Sequence, residues 1–409
     1  MHTTQSPPLW GLYIHIPFCS ELCHYCDFAK TARWDDATVA QYFSVLHQHL
    51  AEWLTHVAVP RGVRFTSLYF GGGTPGLFVR EYETLFTMLA PYLMPDAEIT
   101  LEANPKNLTP EALAGWQKLG INRVSVGVQT FEEKGLRFLT RDHTPAQLQS
   151  TLSLLPKAFS SYNLDLIYSW PGQSLEDWKR DLEAAVAFSP THLSLYNLTY
   201  APQTPIGRAH ERKLIQSPEE ESQAEFYEAA QSFLAIKGYL QEEVSNWYRP
   251  GFAARHNALY WQDVPYIALG AGAWGYIPDG TPWGIRYQYP KGLRAFLSMP
   301  SPLFSGSALA QIQPDLVMET QRDGESWLLE YVGAALRSHY GVNLSLILEK
   351  PQRAFVPTPW VQQALDTGVL TLSDAQVLTL APQEWFRETA WCGALLECFP
   401  PISSVIPRP

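Results

Sequence analysis

Along residues 12–199 short apolar runs rich in β-branched and aromatic residues alternate with longer stretches whose apolar positions recur every three or four residues. The short runs predict strands at 12–18, 64–70, 98–104, 123–129, 162–169 and 192–199. The longer stretches predict helices at 36–54, 79–93, 110–119, 144–156 and 174–188. In Thr109-Pro110-Glu111 a threonine cap precedes proline at the first helical position, where a missing N–H costs nothing. Six such β/α units predict parallel strands joined by right-handed crossovers, in an open doubly wound sheet or a barrel. Polar residues gather at the C-terminal ends of the strands, which favours the α/β class in the form of a partial (β/α)6 barrel.

Beyond residue 200 the pattern changes. Residues 201–238 predict a loop and then an amphipathic helix whose acidic start suits a helix N-terminus. Residues 239–289 hold twelve aromatics, which serve equally as an aromatic core under irregular loops or as a flat apolar pocket beside the barrel mouth. The run S-M-P-S-P-L-F-S-G-S at 298–307 reads as a linker. After it come a helix at 325–338, a proline-rich loop near 351–359, a helix at 360–366, a hairpin at 369–380 turning at Ser373-Asp374, and a helix at 383–396. The expected division is a barrel at 1–238, an aromatic-rich segment packing on it at 239–297, a linker at 298–315, and a small winged-helix-like α+β domain at 316–409.

With 409 residues and 46% hydrophobic content the chain can bury a large core, as one big domain and a smaller one. Lys+Arg 29 against Asp+Glu 40 leaves a net charge of −11, which argues against a nucleic-acid-binding surface. The winged-helix-like region follows suit: residues 311–409 carry 6 Lys+Arg and 11 Asp+Glu, so a partner contact or a lid is expected there. The N-terminus lacks a positive n-region and Pro17 cuts the apolar run that follows. No signal peptide or membrane span is therefore expected, the address is cytoplasmic, and peripheral membrane contact stays open. Cys392 and Cys398 read as ordinary thiols in a reducing compartment.

The candidate chemistry starts with L-Y-I-H-I-P-F-C-S-E-L-C-H-Y-C-D-F at 12–28, where Cys19, Cys23 and Cys26 follow a strand-like run with spacing C-x3-C-x2-C. Three thiolates on one loop hold three irons of a four-iron cubane and leave the fourth open, whereas a cluster used only for electron transfer takes four cysteines. An open iron can bind the amino and carboxylate groups of S-adenosylmethionine and deliver one electron to its sulfonium. A structural zinc with His15 or His24 as fourth ligand is the weaker alternative, since paired C-x2-C knuckles are absent. A c-type haem requires C-x-x-C-H, which is also absent. Further polar residues stand at the strand ends: G-G-G-T-P at 71–75, Glu102 and Asn104, Gln129, Asp165, and Arg141 just beyond. Singly each reads as a turn or a cap. Together they describe a rim of glycine backbone and directional side chains suited to a small polar cofactor.

The motifs Y-I-H-I-P-F-C-x3-C-x2-C-D-F, G-G-G-T-P, E-A-N-P, G-I-N-R-V-S-V-G-V-Q-T-F, L-D-L-I-Y-x-x-P-G-Q, H-L-S-L-Y and R-H-N-A-L-Y-W occur in the order seen in radical-SAM proteins related to oxygen-independent coproporphyrinogen III oxidase. The chain resembles the haem-chaperone branch of that family from residue 12 to about 290. The resemblance implies cluster ligands at Cys19, Cys23 and Cys26, and S-adenosylmethionine contacts at Tyr13, Tyr25, Gly72, Gly73, Thr74, Glu102, Gln129, Arg141 and Asp165. It also implies haem as a ligand, haem-accepting apoproteins as partners and a homodimer as one form, with no catalytic residue assigned. Two departures separate the chain from the oxidases, which carry a further cysteine where this chain has Phe28 and a longer segment than the 18 residues before Cys19. Coproporphyrinogen III oxidation or another porphyrin-directed activity is the alternative function. Trp170 replaces the usual leucine of L-P-G-Q. His256, in Arg255-His256-Asn257, is the candidate haem-iron ligand, with Tyr260 sharing its face if the piece is helical.

Overall fold

The computed structural model describes residues 8–299, 317–319 and 323–401. Most of the expected linker, 300–315, lies outside the described residues. Six parallel strands form the centre: β1 (Leu9–Ile16), β2 (Arg64–Gly72), β3 (Leu93–Ala103), β4 (Arg123–Gln129), β5 (Ser161–Tyr168) and β6 (His192–Asn197). The helices between them include Asp36–Trp53, Tyr82–Leu89, Pro110–Lys118 and Leu175–Ala187. Two expectations shift for reasons visible in the chain. Pro91 stops the helix expected at 79–93 at Leu89 and the chain runs extended from Leu93, while Pro156 divides the helix expected at 144–156 into Pro145–Leu152 and Leu155–Ala158. The short helices Glu133–Phe138 and Pro205–Glu211 lack enough turns to show a period in the sequence.

Alternation along each strand separates the two faces. In β4, Val124, Val126 and Val128 are fully buried toward the helices, each contributing about 1.5–3 kcal/mol of burial. Arg123, Ser125 and Gly127 face the other way, into the concave side, beside Glu102 of β3 and Asn163 and Asp165 of β5.

The aromatic segment extends this sheet at both ends. β8 (Asn246–Tyr248) pairs antiparallel with β6 and β7 (Leu240–Glu243) antiparallel with β8, while β9 (Tyr266–Leu269) pairs parallel with β1 and is followed by β10 (Trp274–Ile277), β11 (Ile285–Gln288) and β12 (Val317–Glu319). The result is one twelve-stranded sheet. Most of the segment's rings serve the core: Trp247, Tyr266, Tyr276, Tyr287 and Tyr289 are buried, and Tyr287 stacks on Trp53 at 4.7 Å. The helix Arg255–Trp261 plugs the bottom of the barrel, its first backbone N–H groups capped by Glu98 at 3.1 Å.

The C-terminal unit has its own core around Trp327, Val332, Val361, Leu378 and Trp385. It comprises the helix Gly324–Leu336, the strand β13 (Val342–Asn343), the helices Leu344–Glu349 and Pro359–Asp366, the hairpin β14 (Leu370–Leu372) and β15 (Val377–Leu380), and the helix Glu388–Leu396. It is seated on β7: His339 N donates to Glu242 O at 2.9 Å, Tyr340 OH to Glu242 Oε1 at 3.0 Å, and Val244 N to Arg337 O at 3.1 Å. Lys350 pairs with the buried Asp263 at 2.6 Å. Among the described residues no helix is long and apolar enough to cross a membrane.

Candidate functional site

Pro17 ends β1 and the cysteine loop begins. Cys19 N donates to Thr31 O at 2.9 Å, Thr31 N to Pro17 O at 2.7 Å, and Trp34 Nε1 to Cys19 O at 2.8 Å, so the two ends of the loop are stitched together. The glycine run after β2 is laced to the same loop through Gly73 N to Ile16 O at 2.7 Å and Thr74 N to Phe18 O at 2.8 Å. Gly72 has φ +116, a conformation that only glycine adopts without strain. At Gly73 a Cβ would stand 2.9 Å from Cys19 Sγ and 2.7 Å from Phe18 O. Backbone approaches the cysteines here because no side chain intervenes.

Cys19 is buried, Cys23 and Cys26 are half-buried, and all three line one cavity of about 700 Å³. Burial pushes the Cys19 thiol up to about 11 and the Cys26 thiol upward, so a thiolate here needs a compensating positive charge. Three thiols that line one cavity, with no fourth cysteine beside them among its lining residues, are the donor set of a four-iron cubane that keeps one iron open.

Arg141 binds the loop to the barrel. Its Nη1 donates to Cys23 Sγ at 3.1 Å and its Nη2 to Asn104 Oδ1 and Gly127 O, both at 2.7 Å. Glu102 accepts from Gly72 N at 2.9 Å and from Tyr69 OH at 2.8 Å. Burial, reinforced by the nearby Asp165, pushes Glu102 up to about 7. Burial also raises Asp165, which accepts from Asn163 Nδ2 at 2.7 Å and Ser125 Oγ at 3.1 Å. Gln129 ends β4 with φ 70, and the next turn is held by Asp181, which accepts from Thr130 Oγ1 and Phe131 N at 2.7 Å each.

Tyr25 packs against a small cluster of Leu139, Ile167, Trp170 and Leu198. This accounts for Trp170: the indole fills that cluster and lies against Gly135, where a Cβ would come within 2.8 Å of it. Phe28 stands at the cavity rim, 67% exposed.

The cavity therefore brings together Cys19, Cys23, Cys26, Tyr25, Gly72, Gly73, Thr74, Glu102, Gln129, Arg141 and Asp165. Two expected residues are not on its wall. Tyr13 is half-buried and stacks on Tyr69, with ring centroids 6.0 Å apart and its hydroxyl 3.0 Å from His15 Nδ1. His256 lies in the barrel floor, 1% exposed, with Nδ1 2.8 Å from Ser67 Oγ and Nε2 without a partner. Burial and the Arg123 charge push it down to about 3, so the imidazole is neutral. The expected approach of His256 to a ligand's iron meets this obstacle: its neighbour Asn257 reaches the cavity and it does not. Missed in the sequence were Tyr69, Arg123, Ser125, Asn163, Ser194 and Tyr196, all on the cavity wall. The period-two alternation of their strands was the available signal. Val244, Arg337, Phe386 and Glu388 also line it, so the C-terminal unit forms part of the wall.

A strand-end site of this kind on a β/α half-barrel is that of a radical SAM protein, and residues 13–185 match the Radical SAM superfamily. Comparison with individual relatives narrows the class. The heme chaperone HemW of Lactococcus lactis is 36% identical over 280 residues, 68% of this chain and 70% of that protein. HemW of Escherichia coli is 37% identical over 281 residues, 67% of this chain and 72% of that one. The chain belongs to the heme chaperone HemW family within the radical SAM superfamily. Its fold is also that of the Escherichia coli coproporphyrinogen III oxidase HemN, a radical SAM enzyme, with TM-score 0.72 and 21% identity over 95% of this chain and 90% of the oxidase.

Proposed function

We propose that the chain binds haem and hands it to haem-accepting apoproteins, on a scaffold that carries a [4Fe–4S] cluster and S-adenosylmethionine. The observation that carries this reading is a single cavity of about 700 Å³, lined at one side by Cys19, Cys23 and Cys26 and at the other by residues of the C-terminal unit. That volume is within the range of small-molecule and cofactor sites, about 300–1,000 Å³. The superfamily implies the cluster and S-adenosylmethionine; the names of the relatives supply haem. When bound, the cluster would supply an electron at its open iron. The protein's own part is positional. Cys19, Cys23 and Cys26 would hold iron, Arg141 fixes Cys23, and the glycine backbone with Glu102, Gln129 and Asp165 would orient the nucleoside and methionine groups.

The alternative, an oxygen-independent coproporphyrinogen III oxidase, is disfavoured by Phe28 at the position where those enzymes carry a further cysteine. One experiment separates the two. Anaerobically reconstituted protein, with reductant and S-adenosylmethionine present, is offered haem and coproporphyrinogen III. Haem bound unchanged and coproporphyrinogen left intact is the expected result, and catalytic formation of protoporphyrinogen IX would sink the proposal.

A further inference from the structure

Four cations line the cavity: Lys30, Arg123, Arg141 and Arg337. Three have partners. Lys30 Nζ bonds to the Cys26 carbonyl oxygen, Arg141 is taken up by Cys23, Asn104 and Gly127, and Arg337 lies over the Trp261 ring at 5.5 Å with Glu243 nearby. Arg123 differs. It is 3% exposed, and among the described residues no hydrogen bond or ion pair holds any part of its guanidinium, whereas Arg141 and Arg337, whose Nε atoms are also unpartnered, have the contacts just given. It begins β4 opposite Thr100 and Ser161, one inward position below Ser125, so the side chain rises from the floor of the cavity.

The acids around Arg123 have other donors. Glu102 takes Tyr69 OH and Gly72 N, Asp165 takes Asn163 and Ser125, and Glu98 takes the backbone N–H groups of Arg255 and His256. Burial pushes Glu102 up to about 7 and raises Asp165 in the same sense, which weakens their repulsion of an incoming anion. A buried cation without an anion is costly. A guanidinium presents a planar fork of donors that matches a carboxylate in two parallel bonds.

We propose, resting on the haem-binding reading above, that Arg123 is the residue that takes a propionate-type carboxylate of the flat ligand at the floor of the cavity. The opposing account is that Arg123 only balances Glu102 and Asp165 from a distance and touches no ligand.

The test compares two iron-free probes, protoporphyrin IX and its dimethyl ester, titrated into the full-length protein and its Arg123→Gln and Arg123→Lys variants by absorbance and tryptophan quenching. A charge-assisted pair in a desolvated site predicts that the parent prefers the free acid by about tenfold or more. Arg123→Gln should bind the acid no better than the ester while its affinity for the ester stays unchanged, and Arg123→Lys should fall between. A parent without preference for the acid overturns the proposal and leaves porphyrin binding intact; a parent that binds neither probe overturns the haem reading too. Equal loss of both probes in Arg123→Gln also overturns it. Should circular dichroism show Arg123→Gln unfolded, the acid-to-ester ratio of the parent and of Arg123→Lys decides.

Discussion

Arg141 Nη1 donates to Cys23 Sγ at 3.1 Å, tying the middle cysteine to a segment 118 residues further along the chain. The same guanidinium holds Asn104 Oδ1 and Gly127 O, so one side chain joins the cysteine loop to the ends of β3 and β4. Arg141→Met would leave these acceptors unpaired, at a cost of about 2–4 kcal/mol. Thermal midpoint and iron retained per chain after anaerobic reconstitution should both fall. Full iron retention in a folded Arg141→Met protein would show that Cys23 needs no such anchor.

Gly73 makes a sharper case. A methyl group there would meet Phe18 O at 2.7 Å and Cys19 Sγ at 2.9 Å, and a backbone oxygen cannot give way as a flexible side chain can. Gly73→Ala should therefore reduce iron loading several-fold, approaching the loss expected for Cys19→Ala, Cys23→Ala or Cys26→Ala. The control is Gly393→Ala on the helix Glu388–Leu396, where a Cβ meets nothing; it should be neutral or stabilising by up to about 1 kcal/mol. Cys392→Ala should keep its iron. A Gly73→Ala protein loaded like the parent would mean that the cysteine loop yields freely.

The six central strands were legible because each repeats an apolar and polar alternation bounded by turn residues, and R-V-S-V-G-V-Q over β4 shows it plainly. The same alternation contains the cavity wall, since the valines face the helices and Arg123 and Ser125 face inward. Reading only the C-terminal strand ends found Glu102, Gln129 and Asp165 and passed over the residues one or two pleats below. The ends of the sheet were not legible. The pairing of Gly11 with Tyr266 joins segments some 250 residues apart, and neither carries a local mark of the other. Without that pairing nothing tells the aromatics of 239–289 that they belong to the core.

Asp181 predicts a pH dependence. Burial pushes it from 3.8 up to about 7, against the opposing bonds from Phe131 N and Thr130 Oγ1. A carboxyl raised in the folded state binds more protons folded than unfolded. Its contribution is thus fully present below its unfolded value and is lost as pH rises from about 4 through about 7. The loss is up to about 4 kcal/mol across that window. Asp181→Asn does not titrate and keeps an acceptor for Phe131 N, so its thermal midpoint should fall less than the parent's between about pH 5 and about pH 8. Glu102 and Glu243 are raised in the same sense and remain in both proteins, which makes the difference specific to Asp181. Parallel pH profiles would remove Asp181 from this role.

His256 can be judged by two readouts that its two possible roles move differently. The ring is neutral, lies 2.8 Å from Ser67 Oγ, and sits among Tyr69 at 5.1 Å, Tyr260 at 5.5 Å and Tyr266 at 6.5 Å. Its backbone N–H is held by Glu98 at 3.1 Å. To reach iron in the cavity, Nε2 would have to leave this shell, giving up the Ser67 contact and shifting the helix Arg255–Trp261. The placement favours support of the floor. His256→Ala should leave a void among the rings and lower stability by about 2–4 kcal/mol, while the Soret maximum of the haem-loaded protein keeps its position. Ser67→Ala, which removes only the partner of Nδ1, should lower the thermal midpoint less and also leave the Soret band in place. A Soret shift in His256→Ala together with an unchanged thermal midpoint would assign the imidazole to the iron, and would require the floor helix to move when haem binds.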